Sequence, residues 1–116
     1  MSTTYKFTTD RHFRLVDTDP ELSALLSVKT LIGEALDEYV TREDLPHFLQ
    51  CIVDVFKGTE IKREPVHFLI GEAKYKTLIN LKPISDKHGL LTAIKGSVVL
   101  LDEPLLIKNV KKTKNT

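Results

Sequence analysis

The sequence predicts an α+β domain, an antiparallel sheet with its helices gathered on one face. Two observations carry this. Two short strand-like segments are followed by short helical segments, one longer amphipathic helix and three consecutive strand-like runs. In addition, residues 90–101 are apolar on both strand faces, with Ile94, Val98 and Leu100 on one and Ala93, Val99 and Leu101 on the other. Strand side chains alternate faces, so both sides of this run require cover. The helices of a small domain cover one side. A tail, a helix or a second chain is expected on the other.

Each element has a local reason. Residues 5–8 and 13–16 read as short strands around the polar turn Thr9-Asp10-Arg11-His12. Asp19-Pro20-Glu21 opens a helix over 20–26, with Asp19 as cap and Pro20 at the first helical position. Residues 30–40 form a second short helical segment broken near Gly33, with Leu36, Tyr39 and Val40 in the core. The longest helix runs over 42–57: Thr41 and Asp44 resemble a capping box and Gly58 is its stop. Leu45, Phe48, Leu49, Ile52 and Phe56 form its apolar stripe, and His47, Gln50, Asp54 and Lys57 its polar one. Strands follow over 65–70, 75–83 and 90–101. Gly71-Glu72-Ala73-Lys74 joins the first two, and Ser85-Asp86-Lys87-His88-Gly89 the last two, with Gly89 free to take positive φ.

At 116 residues the chain is one domain, large enough for a core without staples. Hydrophobic content of 41% and charged content of 28% are ordinary for a soluble globular protein. A net charge of +1 gives no whole-chain argument for binding nucleic acid or a membrane. Cys51 is the single cysteine, which excludes an internal disulfide and fits a reducing compartment. There is no signal peptide, and no apolar run approaches the roughly 20 residues of a membrane span. A cytoplasmic domain is expected.

Six segments then resemble a known family. They are Val16-Asp17-Thr18-Asp19-Pro20-Glu21-Leu22, Leu31-Ile32-Gly33-Glu34-Ala35-Leu36, Arg42-Glu43-Asp44-Leu45-Pro46, Phe56-Lys57-Gly58, Leu81-Lys82-Pro83-Ile84-Ser85-Asp86, and Ile94-Lys95-Gly96-Ser97-Val98. In order and spacing they resemble a PAS domain, the sensor and interaction module of signalling proteins, from about residue 13 to 101. The resemblance implies a five-stranded antiparallel sheet in the order 2-1-5-4-3, with helices enclosing a pocket against one face. It places the PAS-like domain at 1–103 and leaves 104–116 as a basic tail or linker.

The resemblance also implies which residues face the pocket. By analogy with flavin-binding members these are His67, Leu69, Thr77, Ile79, Leu81, Ile94, Gly96 and Val98, joined by Phe48 and Ile52 from the long helix. A small apolar ligand is therefore expected against Phe48, Ile52, His67, Leu69, Thr77, Ile79 and Val98. The outer face then carries Val66, Phe68, Ile70, Leu78, Val99 and Leu101. Burying each of these is worth about 1.5–3 kcal/mol. Cover by the N-terminal residues, by Leu105-Leu106-Ile107 or by a second copy is expected, with a homodimer built on Val66, Phe68, Leu78, Val99 and Leu101.

Chemistry finds little support. Light-oxygen-voltage flavin domains carry a reactive cysteine after Gly-x-Asn, whereas the matching stretch here is Gly33-Glu34-Ala35-Leu36. Cys51 reads as a small buried hydrophobe. Haem-binding PAS domains use a histidine on the longer helix, yet His47 lies on the polar stripe and is expected to face water. His12 and His88 lie in turns, and His67 reads as a satisfied core histidine. No His, Cys, Asp or Glu cluster shows metal spacing. With no phosphate loop and no nucleophile beside a base, an enzyme is not expected, and neither is a cofactor.

PAS domains that drive a downstream kinase or cyclase commonly end in Asp-Ile-Thr; the corresponding residues here are Leu100-Leu101-Asp102. The chain is thus either a piece of a longer receptor or a stand-alone protein working through its surface. The function expected is that of a sensory or interaction domain in signal transduction, with a downstream effector as a further partner. The alternative is a haem- or flavin-dependent sensor.

Overall fold

A computed structural model of the chain describes residues 3–26, 31–70, 72–101 and 105–106. The elements run β1 (Thr3–Asp10), β2 (Leu15–Thr18), α1 (Pro20–Leu25), a 3-10 helix (Leu36–Tyr39), α2 (Leu45–Phe56), β3 (Ile61–Ile70), β4 (Ala73–Ser85), β5 (Leu91–Leu100) and β6 (Leu105–Leu106). The sheet has the expected order β2-β1-β5-β4-β3, and every neighbouring pair is antiparallel. The two-residue β6 is an addition. It pairs with β4 at Ala73 and Lys74, so Leu105 and Leu106 continue the sheet sideways rather than lying across it. Ile107, the basic tail beyond it, and the expected domain boundary at 103 fall outside the described residues.

Two turns of the sheet use the same device. After β1, one carboxylate oxygen of Asp10 accepts the N–H groups of His12 and Arg14, at 2.8 and 3.0 Å. After β4, Asp86 accepts those of His88 and Leu90, at 2.8 and 3.0 Å. An Asp side chain that binds backbone N–H groups ahead of it stabilises a turn without a ladder. In the second turn Gly89 takes φ +82°, as the sequence required.

Helix boundaries differ from expectation because two aspartates serve the sheet. Asp19 precedes α1 but does not cap it; its carboxylate accepts the N–H of Lys6 at 2.8 Å, tying α1 to β1. Asp44 likewise precedes α2 without capping it, since its carboxylate is bound to His67. The helix therefore begins at Leu45, three residues later than expected, with Pro46 in a first turn whose N–H groups have no helical acceptor anyway. The segment expected to be helical over 30–40 is helical only as the 3-10 turn at Leu36–Tyr39, and Thr30 lies outside the described residues.

The buried stripe of α2 is Phe48, Cys51, Ile52 and Val55, a spacing of three, four and seven that faces the sheet. Leu49 and Phe56, expected in that stripe, are exposed. Between α2 and the sheet, Phe7, Phe13, Leu15, Leu22, Leu36, Phe48, Val66, Phe68, Ile79, Ile94 and Val98 form one core. Phe13 meets Phe48 edge-on at 6.0 Å between ring centres, a favourable arrangement for two aromatic rings. At the centre of β5, Gly96 lies under the Phe7 ring; a Cβ there would press into that ring and come within 2.8 Å of the Asn80 carbonyl.

Candidate functional site

The helix-facing side of the sheet gathers five of the expected ligand-facing residues. Phe48 and Ile52 come from α2, Thr77 and Ile79 from β4 and Val98 from β5, and all are buried. The Thr77 hydroxyl is already satisfied, donating to the Val66 carbonyl at 2.7 Å. Thr41, at the entrance to α2, is 4% exposed, and its hydroxyl has no hydrogen-bond partner among the described residues.

The assignment of faces on β3 is corrected. Val66 and Phe68, expected outside, are 0% and 1% exposed and lie in the core. Leu69 is 41% exposed, and His67, expected inside, is half-buried at the sheet edge. Register gives the reason. Val66 pairs with Thr77 and Phe68 with Tyr75, and directly paired residues of an antiparallel ladder share a face. Thr77 faces the helices, so Val66 does too. Upstream, Ile61 pairs with Leu81 but Glu64 with Ile79, so Lys62 and Arg63 together oppose Asn80. This is a β-bulge, and Arg63 takes φ +52° within it. One extra residue reverses the parity of everything downstream.

His67 instead fixes the edge. Its N–H donates to Asp44 at 2.7 Å, its ring Nδ1 lies 2.8 Å from the same oxygen, and its carbonyl accepts the N–H of Thr41 at 2.9 Å. Val40 forms a bridge with Phe68 beside it. The free side of the edge strand β3 is thus closed by the segment leading into α2. Burial works against ionisation of Asp44. The hydrogen bonds from His67, with the charges of His67 and Lys74, outweigh it and hold the carboxyl below its ordinary range.

The opposite face is uncovered by any helix among the described residues. Pairing places Leu78 beside Val99 there, and Lys82 beside Lys95. A concavity of about 470 Å³ opens on this face across the middle of the sheet. Lys6, Lys82 and Lys95 line its centre with Thr8, Asn80 and Ser97, and Asp17, Asp19 and Glu60 stand around its margin. Two lysines directly opposite one another repel modestly, and the nearby carboxylates offset part of that repulsion.

A third feature contradicts the expectation that no metal-type cluster exists. His47 Nε2 is 2.8 Å from Glu64 and 3.9 Å from Cys51 Sγ, and the three donor atoms lie within 4.8 Å of one another. His47 was expected to face water alone; it is half exposed, but bound to Glu64. Burial, then the charges of Glu64 and Asp54, push the Cys51 thiol up, consistent with an unreactive side chain.

No family model matches the sequence, and no curated protein does. Solved structures do match in fold. The N-terminal domain of a diguanylate cyclase with PAS/PAC sensor from Marinobacter aquaeolei superposes with a TM-score of 0.71 at 13% identity, over 83% of this chain and 93% of that one. The PAS-B domain of Drosophila melanogaster Cycle gives a TM-score of 0.72 with bound ethylene glycol, and a variant of it with bound glycerol gives 0.73. Both are 9% identical, over 84% of this chain and 99% of theirs.

The chain has the PAS fold.

Here the core lies between the sheet and its helices on one face, and no helix among the described residues covers the other. The PAS sheet order and the helix-side residues on β4 and β5 stand where the resemblance implied. What sequence reasoning missed was the bulge. The bulge itself leaves no mark in the sequence, but its consequence was readable in the plain alternation of Val66, Phe68 and Ile70 with His67 and Leu69, which favours the first set as the buried one. Among the described residues, no helix is long and apolar enough to cross a membrane.

Proposed function

We propose that this is a PAS sensor or interaction domain of a signalling system that works by docking a second copy of itself through the outer face of its sheet. The observation that carries the reading is that face: the helices among the described residues pack on the other side, and Leu78, Val99 and Leu101 remain on it only half-buried. Val66 and Phe68 drop out of the expected interface because they belong to the core. The charges set where the axis can run. A two-fold axis through Lys6, Lys82 and Lys95 would bring lysines together, so the reading places it nearer Leu78, Val99 and Leu101.

A small apolar ligand inside the fold is a second reading. Phe48, Ile52, Thr77, Ile79 and Val98 come together there on α2, β4 and β5, mostly apolar and all buried. Native mass spectrometry of the purified protein tests both readings in one spectrum, through subunit count and any retained mass. The haem or flavin alternative predicts a coloured sample, and the absorption spectrum of the same preparation decides it. A downstream effector and a cytoplasmic setting fit the same reading.

A further inference from the structure

The cluster on the helix–strand seam is built from two separate local devices. His47 and Cys51 stand four residues apart on α2, so their side chains lie one above the other on the same side of the helix. Glu64 comes from β3, immediately after the bulge at Lys62 and Arg63. Without the extra residue Glu64 would point to the outer face. With it, Glu64 pairs with Ile79 and turns towards α2, a carboxylate on an otherwise apolar side of the strand. There it meets His47.

We propose that His47, Cys51 and Glu64 form a binding site for a borderline-soft divalent cation of the zinc type, with water as the fourth ligand. The donor set is the first argument. One imidazole nitrogen, one thiolate and one carboxylate are the three ligand classes zinc accepts, whereas magnesium and calcium prefer oxygen alone. Spacing is the second. Tetrahedral zinc with bonds of about 2.0–2.3 Å separates its ligand atoms by roughly 3.3–3.6 Å. The separations here are 2.8 Å for nitrogen to oxygen and 3.9 Å for sulfur to nitrogen, with all three atoms within 4.8 Å of one another, so the His47–Glu64 hydrogen bond must open and the side chains shift slightly to take the metal. Access is the third. Cys51 is 4% exposed and forms the floor, while His47 and Glu64 are 53% and 36% exposed and form a rim open to solvent on one side. That opening is where the water sits. Bound metal joins the middle of α2 to the edge strand β3, so it acts on the element pair that encloses the helix side of the sheet. The site is independent of the outer-face reading above.

The test is metal binding by the full-length protein after chelator treatment and dialysis. Titration with zinc is expected to reach one equivalent per chain and to raise the melting temperature. Titration with cobalt is expected to give a thiolate-to-metal charge-transfer band together with the visible absorption of a four-coordinate ion. Cys51→Ser removes that band. His47→Gln and Glu64→Gln each weaken zinc roughly tenfold or more, and leave the metal-free melting temperature near that of the unmodified protein, since both side chains are substantially exposed. Binding well below one equivalent, a cobalt spectrum without the thiolate band, or a zinc affinity unchanged in both His47→Gln and Glu64→Gln would overturn the proposal. In that case His47 and Glu64 are only a hydrogen-bonded pair between helix and strand.

Discussion

One carboxylate oxygen of Asp44 is bound twice by His67, 2.7 Å from its backbone N–H and 2.8 Å from its ring Nδ1. A carboxylate only accepts, so the ring carries its proton on Nδ1 in this arrangement. The contact joins the residue before α2 to the edge of the sheet. Removing it by Asp44→Ala leaves an edge N–H without its acceptor, a loss of about 1–3 kcal/mol when such a group is buried. The side chains are 28% and 31% exposed, which moves the expected value to the lower end. Urea denaturation of Asp44→Ala, His67→Ala and the double variant measures it, and the double variant should cost clearly less than the sum.

The same contact sets a pH dependence. The Asp44 carboxyl is held below its ordinary range in the folded protein, so its contribution is complete above the unfolded value of about 3.9 and is lost as pH falls through the lower folded value. Asp10 acts in the same direction, held down chiefly by the N–H of Arg14. Stability measured from pH 6 down to pH 2, values chosen to span roughly the carboxylate range, should therefore fall more steeply in the unmodified protein than in Asp44→Asn. Parallel curves would show that Asp44 has no preference for its charged form.

The reversal of faces on β3 separates neighbouring residues sharply. Phe68→Ala empties a fully buried site and is expected to cost about 3–5 kcal/mol. Leu69→Ala, one position on and exposed, should change stability by no more than about 0.5 kcal/mol. Denaturant midpoints for the two variants check the parity directly, and equal effects would contradict it.

Gly96 makes a different demand. A methyl group there meets the Phe7 ring and the Asn80 carbonyl, and the ring must leave its place in the core. Gly96→Ala is expected to destabilise by about 1–3 kcal/mol, the usual cost of overpacking. Pairing it with Phe7→Leu, which trims the ring, should recover part of the loss in the same thermal melt.

The meander of three strands, the long helix and the hairpin at Gly89 were legible because each rests on a local pattern: a series of apolar runs, an amphipathic stretch, a glycine at a turn; the sheet order came from the family resemblance instead. The inward set on β4 and β5 was legible too, since Thr77, Ile79, Ile94 and Val98 keep strict alternation along unbroken ladders. The bulge was not. It lies in the charged segment 60–64, where no apolar residue between Ile61 and Val66 marks the change of register. Asp44 misled for a related reason: three residues after Thr41 it reads as the partner in a capping box, and only the tertiary structure shows that His67 holds it. At the metal-type cluster, the four-residue spacing of His47 and Cys51 stood in the sequence. The aim of Glu64 was hidden because the bulge sets it.

The central claim is tested most directly by sedimentation velocity on the unmodified protein and on Val99→Glu at roughly 10–100 µM, a range that populates weak complexes. Val99 lies beside Leu78 on the outer face and takes no part in the core, so the variant should remain folded. The account predicts a dimer for the unmodified chain and a folded monomer for Val99→Glu, since a two-fold interface would bring two like charges together. A monomer for the unmodified chain, or a dimer that survives Val99→Glu, would contradict it.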